Sequence, residues 1–245
     1  MSIARREAAG AAPAPKREHH RDVQGGGARA AVFGVSDGLI TNVSLILGVA
    51  GAHTSPSVVR LAGLAGLVAG SFSMAAGEYV SMSAQSELIE REIAVEREEI
   101  RRHPESERRE LVNLYVGRGL TRELSEQVAT GLMRDPEVAL DIHSREELGV
   151  DPGSTGSPLQ AAVSSFVAFA VGALVPLLPW FFAAGRQAVL VSMVLGAVSA
   201  LGIGAAVGHF TGRSLWRTAV RQLVIGAVAS AVTYGVGSLV GIKAA

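Results

Sequence analysis

Long apolar stretches alternate with polar ones along this chain, and five of them are long enough to cross a bilayer. A transmembrane helix needs about 20 predominantly apolar residues. A polar segment, residues 83–157, separates the second stretch from the third. The pattern predicts an all-α, polytopic membrane protein with five transmembrane helices and a helical insert between spans two and three. The predicted spans are residues 28–52, 57–82, 159–182, 187–210 and 216–240.

The polar segment is itself expected to be helical. Residues 83–103 contain no Gly or Pro and are rich in helix-forming residues, so they should continue the second span without a break. Pro104 ends that helix. Three shorter helices follow, and Thr121 and Asp135 are suited to cap the second and third of them. Residues 151–158 have the composition of a linker.

Basic residues are distributed unevenly between the two ends of the predicted spans. The first 27 residues and the link between spans four and five are rich in Arg, whereas the opposite ends carry only Arg60, Arg186 and Lys243. By the positive-inside rule, the N-terminus and the insert are predicted to be cytoplasmic and the C-terminus to lie on the far side. The expected organisation is a disordered cytoplasmic tail (1–27), spans one and two (28–82), a cytoplasmic helical domain (83–157) and spans three to five (158–245).

Charge and composition exclude several classes of function and of binding site. The net charge is zero, but 17 of the 22 acidic residues lie in segment 83–157, which makes the insert acidic and the rest of the chain basic. This division favours a module that attracts cations and argues against nucleic-acid binding. The chain has no cysteine, so disulfides and thiolate metal sites are excluded. No phosphate loop or nucleophile elbow is present, and neither an enzyme nor a tightly bound cofactor is predicted.

Only two acidic residues lie within the predicted spans, Asp37 and Glu78. An acid in hydrocarbon costs about 2.5 kcal/mol or more, so it usually has a function. Counting about 1.5 Å per residue from the cytoplasmic side places Asp37, Met74 and Glu78 at similar depths. Two carboxylates and a thioether suit a divalent transition ion such as Fe²⁺ better than Mg²⁺ or Ca²⁺. Asn42 and Ser73 are further candidate oxygen donors.

A second candidate site lies in the insert, where two pairs of glutamates flank Pro104. Glu96 and Glu99 precede the proline, and Glu107 and Glu110 follow it. A hairpin at Pro104 would bring the four carboxylates together. Like charges that close are unfavourable unless cations or protons neutralise them. The arrangement resembles carboxylate-bridged metal sites in helical bundles.

Each pattern also has a purely structural interpretation, and the residues alone leave both open. Asp37 could bond a broken helix, and Glu78 could extend to the membrane interface. The insert could be a solvated charged helix, since opposite charges recur four residues apart. His19 and His20 have the position of solvated interface residues, with metal handling as the lesser alternative.

Two stretches resemble the vacuolar iron transporter family: VSDGL at residues 35–39 and AGSFSMAAGEY at residues 69–79. The resemblance covers residues 20–240 and includes the order of two spans, an insert and three spans. It implies a homodimer that exchanges Fe²⁺ for protons through a pathway lined by Asp37, Met74 and Glu78. It also implies a metal-binding insert with Glu-x-x-Glu pairs and a further Glu near its end. The matching residues are Glu96, Glu99, Glu107, Glu110 and Glu147.

One departure from the family pattern affects the insert. Family members can carry two Met residues four and three positions before that last Glu, whereas this chain has His143 and Ser144. A histidine can replace a thioether as a metal ligand, but it favours a different set of metals. His143 is therefore a candidate ligand whose metal preference is open.

The predicted function is a transporter that moves Fe²⁺, with Mn²⁺ as the alternative cargo, out of the cytoplasm in exchange for protons. The competing hypothesis is a membrane-anchored buffer or sensor that binds divalent metal without moving it. Expected partners are metal ions, protons, the bilayer and a second copy of the chain, with no nucleic acid. The high Ala, Gly and Arg content hints at a bacterial cell membrane, and a eukaryotic source would imply the vacuolar membrane.

Overall fold

The chain is helical throughout the part that the structure describes. A computed structural model describes residues 26–150 and 156–244, and these ranges form nine α-helices and no β-strand. Five of these helices are long and apolar enough to cross a membrane, which confirms the predicted class and number of spans. The helices are α1 (Gly26–Gly51), α2 (Pro56–Arg102), α3 (Pro104–Gly117), α4 (Arg122–Leu132), α5 (Pro136–Glu146), α6 (Pro158–Leu177), α7 (Pro179–Phe182), α8 (Gly185–Phe210) and α9 (Leu215–Ala244).

Two predictions fall mainly on residues outside the described ranges. The predicted tail, with His19 and His20, overlaps the described residues only at Gly26 and Gly27, which already belong to α1. Most of the predicted linker lies in residues 151–155, which are also outside the described ranges.

The longest helix is α2, with 47 residues. At 1.5 Å per residue it is about 70 Å long, more than twice the roughly 30 Å hydrocarbon core of a bilayer. Its first half is apolar, and from Glu87 onward it is rich in charged residues. It ends at Arg102, and Pro104 opens α3, so the predicted continuation of the second span is confirmed. One helix therefore runs from the membrane-spanning region into the insert.

Several glycines lie where helices touch. A Cβ on Gly38 would collide with the backbone of Phe169 in α6, and one on Gly237 with the backbone of Gly48 in α1. Such close approach strengthens van der Waals packing between helices in lipid. Gly212 differs, because its φ of 65° belongs to the turn between α8 and α9.

The central helix of the membrane bundle is α1, which packs against α2, α6, α8 and α9. Gln222 of α9 donates a hydrogen bond to the hydroxyl of Ser36, and Thr233 Oγ1 donates to the carbonyl of Ser44 over 2.9 Å. Both contacts join residues of α1 to residues of α9 in the same order along the two helices. The two helices therefore run parallel and begin at the same end of the bundle.

The third span ends earlier than predicted, at Leu177 instead of residue 182. Pro176 is accommodated inside α6, and Ser192 of α8 donates its hydroxyl to the Pro176 carbonyl over 2.7 Å. Pro179 has no N–H to continue the ladder of hydrogen bonds, and it opens the short helix α7. The apolar stretch is thus divided between two helices.

The insert is built from the charged end of α2 together with α3, α4 and α5. Thr121 and Asp135 cap α4 and α5 as predicted, because their side chains accept hydrogen bonds from the backbone N–H groups of Leu124 and Glu137. Two small apolar clusters hold the helices together. They consist of Ile100, Ala139 and Leu140, and of Leu111, Val112 and Ala129. This packing turns the acidic positions of α2 and α3 toward the end of α5.

Candidate metal sites

Five of the six ligands predicted for the insert converge from three helices. Glu96 comes from α2, Glu107 and Glu110 from α3, and His143 from α5, with Glu147 as the residue that caps the end of α5. Single ligand atoms of Glu96, His143 and Glu147 lie within 4.8 Å of one another, and so do those of Glu107, Glu110 and Glu147. Glu147 belongs to both sets, so the structure contains two adjoining groups that could each hold a cation.

His143 lies at the centre of the first set. Its side chain is 0 % exposed, and its Nδ1 atom lies 3.1 Å from Glu96 Oε1 and 3.2 Å from Glu147 Oε1. The same nitrogen is 3.8 Å from Glu107 Oε2. The Nε2 atom is buried and has no hydrogen-bond partner among the described residues. An imidazole enclosed by carboxylates in this way offers a nitrogen ligand to a transition ion.

Burial and mutual repulsion shift the pKa values of the cluster. Burial, followed by the charge of Glu147, raises the pKa of Glu96 to about 7. Burial also raises the pKa of Glu107 and of Glu147, and nearby Glu110 adds to both shifts. Burial lowers the pKa of His143. A proton therefore competes for Glu96 near neutral pH, and a divalent cation that binds there must displace it.

Glu99 is the one predicted ligand of the insert that lies outside both sets. Its side chain is 51 % exposed, and its Oε2 atom is 3.8 Å from Nδ1 of His103. Spacing along the two helices suggested four converging glutamates, but α5 contributes the side chains that complete the cluster. The position of Glu99 at the rim leaves it free to contact an approaching cation.

In the membrane bundle, Glu78 forms an ion pair with Arg29, which sequence reasoning missed. Nη2 of Arg29 donates to Oε2 of Glu78 over 3.1 Å, and the Glu78 side chain is only 11 % exposed. The pair joins the beginning of α1 to α2. The sequence contained a signal for this pair, because Arg29 lies at the start of the first span and Glu78 about four residues before the end of the second. Both residues are therefore near the same membrane surface.

The other predicted pathway residues lie on or beside α1. Asp37 is partly buried, and its Oδ1 atom accepts a hydrogen bond from Thr41 Oγ1 over 3.2 Å. Asn42 is fully buried, and its Nδ2 atom donates to the Ala173 carbonyl of α6 over 2.6 Å. Its Oδ1 atom has no hydrogen-bond partner among the described residues. Asn42 thus ties α1 to α6, while one of its oxygen lone pairs stays available.

The predicted pathway residues of the membrane bundle lie on two helices, Asp37 on α1 and Met74 and Glu78 on α2. Met74 is partly buried on α2, one helical turn before Glu78. The groups of three or more potential metal ligands found among residues 26–150 and 156–244 include neither Asp37 nor Glu78.

These features define the class: a multi-pass helical membrane protein with an attached carboxylate–imidazole cluster able to hold divalent cations. A model of the VIT family matches residues 28–238, and the chain belongs to that family. It is 34% identical over 210 residues to "Vacuolar iron transporter 1" of Eucalyptus grandis, covering 85% of this chain and 84% of the relative.

Two further relatives have similar coverage. "Vacuolar iron transporter 1" of Oryza sativa subsp. japonica is 36% identical over 213 residues, with 86% of this chain and 84% of the relative covered. "Vacuolar iron transporter" of Acanthamoeba castellanii is 36% identical over 234 residues, with coverage of 93% and 84%. These relatives are named as transporters, and the chain is accordingly not an enzyme.

Replacing His143 by alanine should weaken binding of Fe²⁺ and Zn²⁺ to the insert by roughly tenfold or more, but weaken Mn²⁺ binding much less. Imidazole suits Fe and Zn, whereas Mn²⁺ relies mainly on carboxylate oxygens. Isothermal titration of the full-length protein with each metal measures the change. Mn²⁺ serves as the internal control for folding, and equal weakening of all three metals would contradict a ligand role for His143.

Proposed function

We propose that this protein moves Fe²⁺ out of the cytoplasm in exchange for protons, and that Mn²⁺ is its second candidate cargo. The observation that carries the proposal is the single helix α2, which joins the buried cluster of the insert to the membrane-spanning segment that bears Met74 and Glu78. The names of the relatives from Eucalyptus grandis and Oryza sativa, both vacuolar iron transporters, support iron as the cargo.

In this proposal the insert faces the cytoplasm and collects the ion. Its ligand set of carboxylates and one imidazole binds divalent transition ions. The ion then passes to Asp37, Met74 and Glu78 in the membrane. Arg29 neutralises Glu78 in the metal-free state, and an arriving cation would replace the guanidinium as its partner. The proposed membrane is vacuolar, as the relatives' names suggest, or the cell membrane in a bacterium.

Proton exchange follows from competition for the same oxygens. A divalent cation and a proton compete for the same carboxylate oxygens, because each of them neutralises the negative charge. Metal entering such a site from one side releases protons, and protons entering from the other side release metal. This coupling requires only that the site open alternately to the two sides.

A homodimer would bring a second set of the pathway residues to the membrane site. In one chain only 17% of the most apolar part of α2 is buried, and Leu61 and Phe72 are 68% and 64% exposed. A second copy placed against α1 and α2 would cover this surface and bring together two sets of Asp37, Met74 and Glu78. We therefore propose that the pathway lies between two subunits.

Reconstituted vesicles test the proposal. We expect Fe²⁺ to enter vesicles while protons leave, and an imposed proton gradient to drive Fe²⁺ uphill, when internal metal and internal pH are followed together. Protein-free vesicles give the background. Metal bound without flux under any gradient would instead favour the anchored buffer or sensor, in which the five spans only hold the insert at the membrane.

A further inference from the structure

A basic corner lies where α8 turns into α9. Arg213 lies in the turn, and Arg217 and Arg221 lie one helical turn apart on α9. All three side chains are exposed, and none has an ion pair or hydrogen bond with another described residue. The first turn of α9 carries no acidic residue, and Trp216 there is 72% exposed. The corner therefore presents three uncompensated positive charges beside an aromatic side chain at one end of the bundle.

An apolar groove begins next to this corner. It has a volume of about 420 Å³ and runs between α1, α8 and α9. Its lining on α9 extends from Leu223 to Tyr234, which is about 16 Å at 1.5 Å per residue. This length is comparable to half of the roughly 30 Å hydrocarbon core. Further lining residues are Leu39 and Val43 of α1, and Met193 and Ala197 of α8.

The corner and the groove are adjacent along the same helix. Arg221 precedes Leu223 by about 3 Å along the axis, but two residues turn the helix by about 200°, so its side chain must extend around α9 to reach the end of the groove. Since α1 and α9 run parallel, this corner lies at the end of the bundle where α1 begins and where α2 leaves for the insert. Long arginine side chains extend along apolar surface and place their charged groups at the interface. A ligand with an anionic head and a long apolar tail could therefore touch both features at once.

We propose that the α8–α9 corner and the groove form a binding site for one anionic phospholipid. Its phosphate lies against Arg217 and Arg221, and one acyl chain fills the groove between α1, α8 and α9. Basic pockets between transmembrane helices bind anionic headgroups in this way. A second copy of the chain fits less well, because its own corner carries the same positive charges. The inference does not depend on transport.

Tryptophan fluorescence tests this proposal, because the chain has only two tryptophans. Trp180 is 3% exposed in the core, so Trp180→Phe leaves Trp216 as the only reporter. The full-length variant is placed in neutral phosphatidylcholine vesicles that contain a small fraction of lipid brominated on its acyl chains. The brominated lipid is either phosphatidylglycerol, which is anionic, or phosphatidylcholine. Bromine quenches a nearby indole, so the two quenching curves compare local lipid concentrations.

We expect phosphatidylglycerol to quench Trp216 at a much lower fraction, since each arginine near the surface gives roughly a fivefold preference for an anionic headgroup. The double variant R217Q/R221Q should lose most of that preference, and R217K/R221K should keep it. R186Q removes an exposed arginine at the opposite end of α8 and is the matched control. Gly226→Leu extends a side chain into the groove, where its Cβ would lie 3.8 Å from Ile40, and should also reduce the preference.

Three outcomes would overturn the proposal. Equal quenching by the two lipids would mean that the corner does not select an anionic headgroup. An unchanged preference in R217Q/R221Q would assign the selectivity to another surface. Protection of Trp216 from both lipids would indicate that protein, most simply a second copy, covers the site.

Discussion

Asp37→Asn should reduce Fe²⁺ flux by at least roughly 100-fold while leaving metal binding by the insert unchanged. Asparagine keeps the size of the side chain and can still accept the hydrogen bond from Thr41, but it carries no charge. Asparagine would lose the attraction of the carboxylate for the passing cation, and a loss of about 3 kcal/mol corresponds to roughly 100-fold in rate. Initial rates of uptake into vesicles measure the flux, and calorimetric titration of the same protein measures binding.

Two further variants distinguish a role of Asp37 in transport from a role in holding the fold. Asp141→Asn makes the same chemical change at a half-exposed carboxylate of the insert, bonded to Arg145 over 3.0 Å, and should transport at the parental rate. Thr41→Val removes the recorded partner of Asp37 but keeps its charge, and should cost much less than Asp37→Asn. If Thr41→Val costs as much, Asp37 serves mainly to hold α1 in shape, and the pathway assignment is wrong.

The number of membrane-spanning helices could be predicted because bilayer thickness imposes a minimum length on each apolar stretch. The length of α2 followed from the lack of Gly and Pro after the second span. The end of the third span could not be read in this way, because Pro176 and Pro179 lie in the same apolar stretch. Packing against Ser192 accommodates the first proline inside α6, and that contact depends on the tertiary fold.

The insert cluster shows how far residue spacing can predict a site. A three-residue interval places Glu107 and Glu110 on one side of α3, which the helical period alone dictates. It does not reveal that α5 packs on α2 and brings Glu147 between the two sets. The position of His143 came from the family pattern, but the direction of its ring depends on the packing of α5. Spacing predicts the face of a helix, and packing decides which faces meet.

In the membrane bundle, Arg29 is a second case in which packing between helices could not be read from spacing along one helix. The ion pair with Glu78 links residues 49 positions apart in the sequence. The sequence identified Glu78 as a candidate ligand but gave no partner for it. Their contact depends on the relative rotation of α1 and α2, which hydropathy does not report. The pairing gives Glu78 a counter-charge within the same chain.

Glu147→Gln should weaken binding of Fe²⁺ and of Mn²⁺ to the insert together, by roughly 10- to 100-fold or more. Replacing even an outer partner of a metal ligand typically costs that much. Glu147 belongs to both sets of converging ligands, whereas Glu110 belongs to one. Glu110→Gln should therefore weaken one binding event and spare the other. Glu126→Gln, at an exposed position of α4, is the matched control.

Glu147→Gln should, in contrast, stabilise the metal-free protein against unfolding. The raised pKa of Glu96 means that this carboxyl binds more protons in the native protein than in the unfolded chain, so the stability it contributes is lost as the pH rises from 4.5 towards about 7. The lowered pKa of His143 acts in the opposite direction. The charge of Glu147 contributes to the raised pKa of Glu96, so glutamine at 147 should reduce this loss. Thermal unfolding at pH 7.5, with and without Mn²⁺, measures both effects.

We expect Glu147→Gln to raise the melting temperature of the metal-free protein and to shrink the increase that metal produces. A glutamate that only supports the fold through its contact with His143 would behave differently, because its replacement would lower stability with or without metal. A higher melting temperature without metal, together with a smaller increase on adding metal, can arise only if Glu147 lies among like charges in the native structure. A bound cation relieves the repulsion between these charges. The comparison thus separates a metal ligand from a structural carboxylate without requiring that transport be measured.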